Sequence, residues 1–290
     1  MRGVNKASLT SVVIVMSLVM CVKAQDSRPK FEVASIKPNA QGFIDLGGGG
    51  RLLSGQTRCH ATDSRAIPAD PLPAAALGRC YVRNGTLKEI INTAYGLRFG
   101  PARSVLNQMI ASGPSWAETD SFDIEAKAED AAATTSQQML EMLQSLLTER
   151  FRLKFHKETR DLSGYVLLVA PNGSKLKEAA PDEQQSFSAA PAVRGQRVPV
   201  TTIGNFLSQR FGRVVINKTA LTGLYDFTLT WTPDETELGP NGLPMSRPSA
   251  DQSGPSLITA LREQLGLRLE TQKVPTEVLV IDSVQRPSEN

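Results

Sequence analysis

His156 and Glu158, two residues apart, are the pair in this chain with the makings of a general acid and base. They lie in Leu153–Arg160, where Leu153 and Phe155 take one side of an extended chain and Lys154, His156, Glu158 and Arg160 the other. Two cations share their face, and that pattern reads more simply as a solvated sheet surface. Asp123, Glu125 and Asp226 could supply the paired carboxylates that glycoside hydrolysis needs. A carboxylate at a strand start also satisfies turn backbone groups, and the structural reading is preferred. His60, beside Cys59, has no identifiable partner. Gly-x-Ser-x-Gly is absent, and Gly113-Pro114-Ser115-Trp116 does not replace a nucleophile elbow. The run Gly47–Gly50 lacks the helix start and lysine of a phosphate loop. No catalytic residue, cofactor or metal is therefore assigned. Trp116 and Trp231 flank strands, and a tryptophan at the surface can anchor a ligand. Trp116, Trp231, His156 and Glu158 are the residues expected to touch a ligand or partner.

The elements that must position these residues occur twice. Leu147–Ala170 and Leu261–Asp282 align at an offset of 114 (261 minus 147), placing Leu147, Glu149, Phe151 and Phe155 on Leu261, Glu263, Leu265 and Leu269. After a turn two residues shorter, Val166–Val169 falls on Val278–Ile281. Each copy reads as a helix end, an alternating strand, a turn and a more continuous apolar strand. Thr86-Leu87-Lys88-Glu89 is a capping box opening a helix to Tyr95, and Thr135 with Gln138 opens another. Thr202–Gly212 aligns with Thr86–Gly96, and Tyr225-Asp226-Phe227 with Phe122-Asp123-Ile124. Strands are expected at Phe31–Ile36, near Gln108–Ala111 and at Ser121–Ala126, with a long loop over Asn39–Gly78. The expected fold is α+β: two tandem α-β-β-α-β-β repeats, with small antiparallel or mixed sheets and helices on one face. Residues 25–170 form the first repeat, 171–199 a linker, and 200–290 the second, with a disordered insert at 233–255.

The first 24 residues read as a signal peptide. Arg2 and Lys6 precede the apolar run Leu9–Val22, and Val22-Lys23-Ala24 fits a cleavage site. The competing lipobox, ending at Cys21, has the bulky Met20 where a small residue belongs, so cleavage near Ala24 is preferred over lipidation. The chain is thus expected to be exported, with no later segment able to span a membrane. The whole chain has 32 basic and 29 acidic residues; losing Arg2, Lys6 and Lys23 leaves 29 of each. A neutral mature chain argues against nucleic acid as a partner. Cleavage also removes Cys21, so Cys59 and Cys80 are expected to form a disulfide. A zinc site from Cys59, His60 and Cys80 would lack a fourth ligand.

FEVASIKPN, the GPSW and FDIEAKA segment, MLQSLLTERFRLKFHKETRDLSGYVLLV, KTALTGLYDFTLTW and ALREQLGLRLE with VLVIDSVQRPSEN resemble a family of uncharacterised exported proteins. That family is a domain of unknown function expanded in acidobacteria of the Solibacter type. The resemblance implies no established activity. It hints at a sensory or recognition role, since some relatives look fused to a membrane sensor metallopeptidase. Where such proteins read Asp-x-Thr-Gly-Leu, this chain has Asn217-Lys218-Thr219-Ala220-Leu221. At the level of fold alone, the repeated unit is similar to the short N-terminal domains of secretins and TonB-dependent receptors. The expected function is a non-enzymatic module binding a protein or cell-envelope ligand. The alternatives are a hydrolase of envelope polymers using Asp123, His156 or Glu158, and a structural envelope protein.

Overall fold

The computed structural model describes residues 28–47, 50–52, 55–64, 74–97, 103–181, 184–189, 192–239 and 254–287. The signal peptide, Cys21 and residues 240–253 of the expected insert lie outside the described residues. The protein is of mixed α+β class. It has two lobes joined by one long two-stranded ribbon.

The first lobe begins with β1 (Val33–Pro38), the hairpin β2 (Ile44–Gly47) and β3 (Gly50–Leu52), then β4 (Gln56–Cys59) and β5 (Arg79–Thr86). α1 (Leu87–Ala94) follows at once. Its capping box is complete: Thr86 Oγ1 accepts from Glu89 N at 3.3 Å, and Glu89 Oε2 accepts from Thr86 N at 2.8 Å. α2 (Arg103–Met109) runs into β6 (Ile110–Ala111), so the strand expected from Gln108 begins two residues later. Then come α3 (Trp116–Thr119), β7 (Ser121–Lys127) and α4 (Ser136–Arg150), the last opened by the Thr135–Gln138 box. The antiparallel sheet has the order β1-β7-β5-β4. Ile36, Val82 and Ile124 pack from it against Leu87, Ile90 and Ile91 of α1 and Leu143 and Leu147 of α4. Three strands thus lie within what the sequence presents as a loop: β2 and β3 pair with each other, and β4 pairs with β5 up to the disulfide-linked Cys59 and Cys80.

β8 (Lys154–Val169) leaves the first lobe and enters the second. The second lobe holds β9 (Lys177–Glu178), β10 (Ser186–Ser188), β11 (Val193–Pro199), α5 (Val200–Phe211), β12 (Val215–Asn217), β13 (Leu224–Leu229), α6 (Leu257–Ala260) and a π turn (Leu261–Leu265). Its sheet has the order β10-β11-β13-β9. The stretch 171–199 is therefore three strands and not a linker. They are too short and polar to show alternation, and pairing around β13 makes them strands. α5 starts at Val200, so Thr202 lies inside it while Thr86 caps α1. At the start of the expected insert, among residues 233–239, Glu237 is buried while Glu235 and Thr236 are exposed.

β14 (Leu267–Ser283) returns alongside β8 in one antiparallel ladder, Leu267 opposite Val169 and Ile281 opposite Phe155. The turn expected inside each of these segments is absent, so the last two strands of each α-β-β-α-β-β unit are a single strand. Gly164, which reads as a turn residue, serves close approach instead. A β-carbon there would stand 2.5 Å from the Val214 carbonyl oxygen, where β12 joins β8. Pro275, opposite Asp161, removes one ladder donor without ending the strand. β12 and β6 flank the ribbon as parallel edges in the order β12-β8-β14-β6. Leu279 and Ile281 complete the first core, so that lobe is not a continuous stretch of chain, whereas the second core lies wholly between Tyr165 and Leu269.

Candidate functional site

The expected contact residues do not converge. Trp116 belongs to the first core, its edge 6.3 Å from Phe122 and its face 5.1 Å from the Arg286 guanidinium. Arg286 also donates to Asp120 Oδ2 at 2.8 Å. Trp231 belongs to the second core, 5.7 Å from Phe206, and its indole N–H donates to the Glu237 carboxylate at 2.9 Å. His156 stands exposed on β8, its Nδ1 2.7 Å from Asp282 Oδ1 and its Nε2 3.8 Å from Glu158. Glu158 is bound by Arg160. Asp282, the residue that the sequence did not single out, is the extra residue of a bulge between Ile281 and Ser283. It lies 126 positions from His156, beyond the reach of any local pattern.

The carboxylates resolve in favour of structure. Asn84 in β5 and Arg197 in β11 both have left-handed backbones, φ 52° and 50°, at irregularities in the two sheets. Asp123 Oδ1 accepts from Asn84 N at 2.8 Å and from Asn39 Nδ2 at 3.1 Å. Asp226 Oδ1 accepts from Arg197 N at 2.7 Å. Glu125 is tied to Arg83, whose hydrogen bond holds its carboxyl below the ordinary range. His60 Nδ1 lies 2.8 Å from the Ala75 carbonyl, and the disulfide occupies both thiols that a zinc site would have used.

One buried charged cluster lies beside Trp231. The Arg210 guanidinium sits 5.2 Å from the Phe206 ring and 5.4 Å from the Trp231 ring, and donates to the Leu238 carbonyl at 3.1 Å. Burial lowers the Arg210 pKa, with Glu237 opposing that shift. For Glu237, burial is the largest cause and raises the pKa; hydrogen bonds from Trp231 and Asp234 pull it down. A raised folded-state value means that the folded protein binds the proton more readily. Glu237 therefore adds stability below its unfolded pKa, and loses that contribution as pH rises through the raised value. Glu237→Gln is expected to gain in Tm relative to the parent between about pH 4 and about pH 7. A Tm difference that is flat across that range would contradict this account.

The chemistry most open to solvent lies in two clefts that share Lys175. The π turn ends at Gly266, φ 65°, where a β-carbon would stand 2.1 Å from the Gly173 carbonyl. That contact seats the turn after Ala170 against the helix end: Ala170 N donates to the Gly266 carbonyl at 2.8 Å and Lys175 N to that of Leu265 at 2.9 Å. Lys175 thereby faces both clefts. One, of about 660 Å³, lies against the sheet of the second lobe and holds Lys175, Lys177, Arg194 and Asp226. The other, of about 570 Å³, holds Lys175, Arg262 and Arg268. Among the described residues Lys177, Arg194 and Arg262 make no ion pair, while Arg268 is held by Glu270. Asp226 is the single carboxylate in either lining, and it serves the Arg197 backbone. In the first lobe, by contrast, the cleft beside β1 balances Lys30 and Arg150 with Glu32 and Glu149.

A model of a family described as a protein of unknown function, DUF3738, matches residues 88–284, more than half of the chain. The chain belongs to that family. No curated protein and no solved structure matches it. The DUF3738 match contains both clefts and the ribbon. It also contains the departure at Asn217. There the side-chain Oδ1 accepts from Thr219 N at 3.0 Å and Thr219 Oγ1 at 2.8 Å, holding a turn that an aspartate would hold equally. Ala220 takes the left-handed backbone, φ 60°, that glycine adopts without strain. Ala220→Gly is expected to stabilise by about 0.5–1 kcal/mol, the left-handed penalty less glycine's extra freedom in the unfolded chain. Urea unfolding checks the sign. No described helix is long and apolar enough to cross a membrane.

Proposed function

We propose that the protein is an exported, non-enzymatic module that binds a cell-envelope ligand through the two clefts of the second lobe. The observation that carries this reading is the charge imbalance. Five cations (Lys175, Lys177, Arg194, Arg262 and Arg268, the last paired with Glu270 outside the lining) meet one lining carboxylate in a chain neutral after signal cleavage. Such segregation concentrates field and raises the local concentration of anions. Export itself rests on the basic, apolar and small-residue pattern of the first 24 residues, and the disulfide is compatible with an oxidising compartment.

The repeat belongs to the same proposal. Asn84 and Arg197 are 113 positions apart (197 minus 84), each followed two residues later by an element junction into α1 or α5. Each is held by an aspartate of the neighbouring strand. These parallels support descent of both lobes from one unit.

The test is capture from an envelope fraction of the producing cell. The parent chain should retain material that Lys177→Ala/Arg194→Ala/Arg262→Ala releases, and retention should weaken as salt is raised. Equal capture by both proteins would remove the clefts as the site. The hydrolase alternative has one favourable observation, the His156–Asp282 bond. Against it, Asp123 is committed to Asn84 and Asn39, and Glu158 to Arg160. Loss of a screened hydrolytic activity in His156→Ala would favour that alternative.

A further inference from the structure

We infer that the ligand of the clefts is an extended acidic polysaccharide, a chain of carboxylated sugars that passes Lys175 and occupies both clefts at once; this rests on the binding reading above and specifies its ligand.

The cations are exposed at their tips, and an exposed ion pair in water contributes at most about fivefold in affinity. One charge on a small ligand would gain little. Repeated charges on one chain add their contributions without a new association cost at each contact. Lys175 lines both clefts, its ammonium anchored on the Glu263 carbonyl, so a polymer seated in the first can extend past it towards Arg262 in the second. The lining of the larger cleft also holds Ser186, Ser188, Gln196, Thr228 and Gln264, all hydroxyl or amide groups; Ser186 donates to Gln196, and Gln264 is bonded to Thr230. That combination of cations with neutral polar groups matches a polymer carrying both carboxylates and hydroxyls. The linings also speak against the other common polyanion. Single-stranded nucleic acid is held by aromatic platforms on which bases stack. The aromatic side chain of these linings is Phe227, which is 9% exposed and belongs to the core.

The probe is an oligogalacturonate of about eight units, compared with the free galacturonate monomer, a neutral oligosaccharide of equal length and a single-stranded DNA of equal charge. Binding to the mature protein is followed by fluorescence anisotropy or calorimetry. The oligomer is expected to bind at least about tenfold more tightly than monomer, neutral oligosaccharide or DNA. Lys177→Ala and Arg262→Ala, one from each cleft, should each cost about fivefold, and the double variant more than either. Both positions are at the surface, and a thermal melt of each variant confirms that it is folded. Oligomer binding no tighter than monomer, DNA binding as tight as oligomer, or insensitivity to either variant would each overturn the inference. Should the oligogalacturonate fail while the triple variant still loses envelope capture, the clefts remain the site and only the ligand class is wrong. Should envelope capture be unaffected, the binding reading itself falls.

Discussion

Phe151→Ala is expected to destabilise the protein by about 3–5 kcal/mol, the largest effect of any single change considered. Phe151 is completely buried at the C-terminal end of α4, with its ring edge-on to Phe122 at 5.3 Å. Its backbone is used as well: its N–H reaches the Leu147 carbonyl at 3.1 Å, and its carbonyl accepts from Gln285 N at 2.7 Å. The side chain therefore lies where helix, sheet and C-terminal segment meet, and the surrounding elements cannot collapse into the space. Phe151→Leu, which keeps most of the volume, should cost under about 1.5 kcal/mol. Urea unfolding of the two variants separates a cavity cost from a mere loss of aromatic contact. Equal costs would mean that the first core is looser than the packing implies.

Asp123→Ala should follow at about 3 kcal/mol, since it removes a charged acceptor and orphans a buried donor. Asn84 is wholly buried in a left-handed conformation, and the Asp123 carboxylate is the partner of its backbone N–H. The substitution takes the Asp123 acceptor from a strained, buried residue whose side chain still donates to the Gly42 carbonyl at 3.1 Å. Asp226→Ala should cost less, about 1–2 kcal/mol, because Arg197 is only half-buried and water can replace the lost acceptor. Thermal unfolding of both gives the ordering. A reversed order, with Asp226 the costlier, would place the strain in the other sheet and refute this account. Near-parental stability of Asp123→Ala with loss of a cellular function would return Asp123 to the list of functional groups.

These two aspartates show how far the sequence reaches. Their equivalence is legible from the matching Phe-Asp-Ile and Tyr-Asp-Phe segments, and so is a structural role at a strand start. The partner is not: Asn84-Gly85 is a pair prone to a left-handed backbone but does not say which strand supplies the acceptor, and Arg197 carries no local sign of one. Both capping boxes and the Cys59–Cys80 pair follow from short patterns and are present. The turns expected near Gly164 and Pro275 are absent, because glycine and proline mark several situations that only a neighbouring chain distinguishes. The candidate clefts were illegible. Lys175, Lys177 and Arg194 fall in a stretch without apolar periodicity, and Arg262 lies some 70 positions further on, so only the fold collects them. The one trace in the sequence is the two-residue spacing of Lys175 and Lys177, which puts both on one face of an extended segment.

The ribbon has a consequence for how the chain acquires its structure. Its paired residues are separated by 98 positions at one end (267 minus 169) and 129 at the other (283 minus 154). Joining ends so distant adds little to the equilibrium cost, because closure entropy grows only as the logarithm of length. It does slow folding, because such pairings reward the chain late. Leu279 and Ile281 are the last apolar residues to be synthesised that the first core requires. A nascent chain therefore holds all four helices of that lobe before it holds the strand that closes them. A chain ending before Val278 should therefore fail to recover the first lobe, while it keeps every residue of the second core.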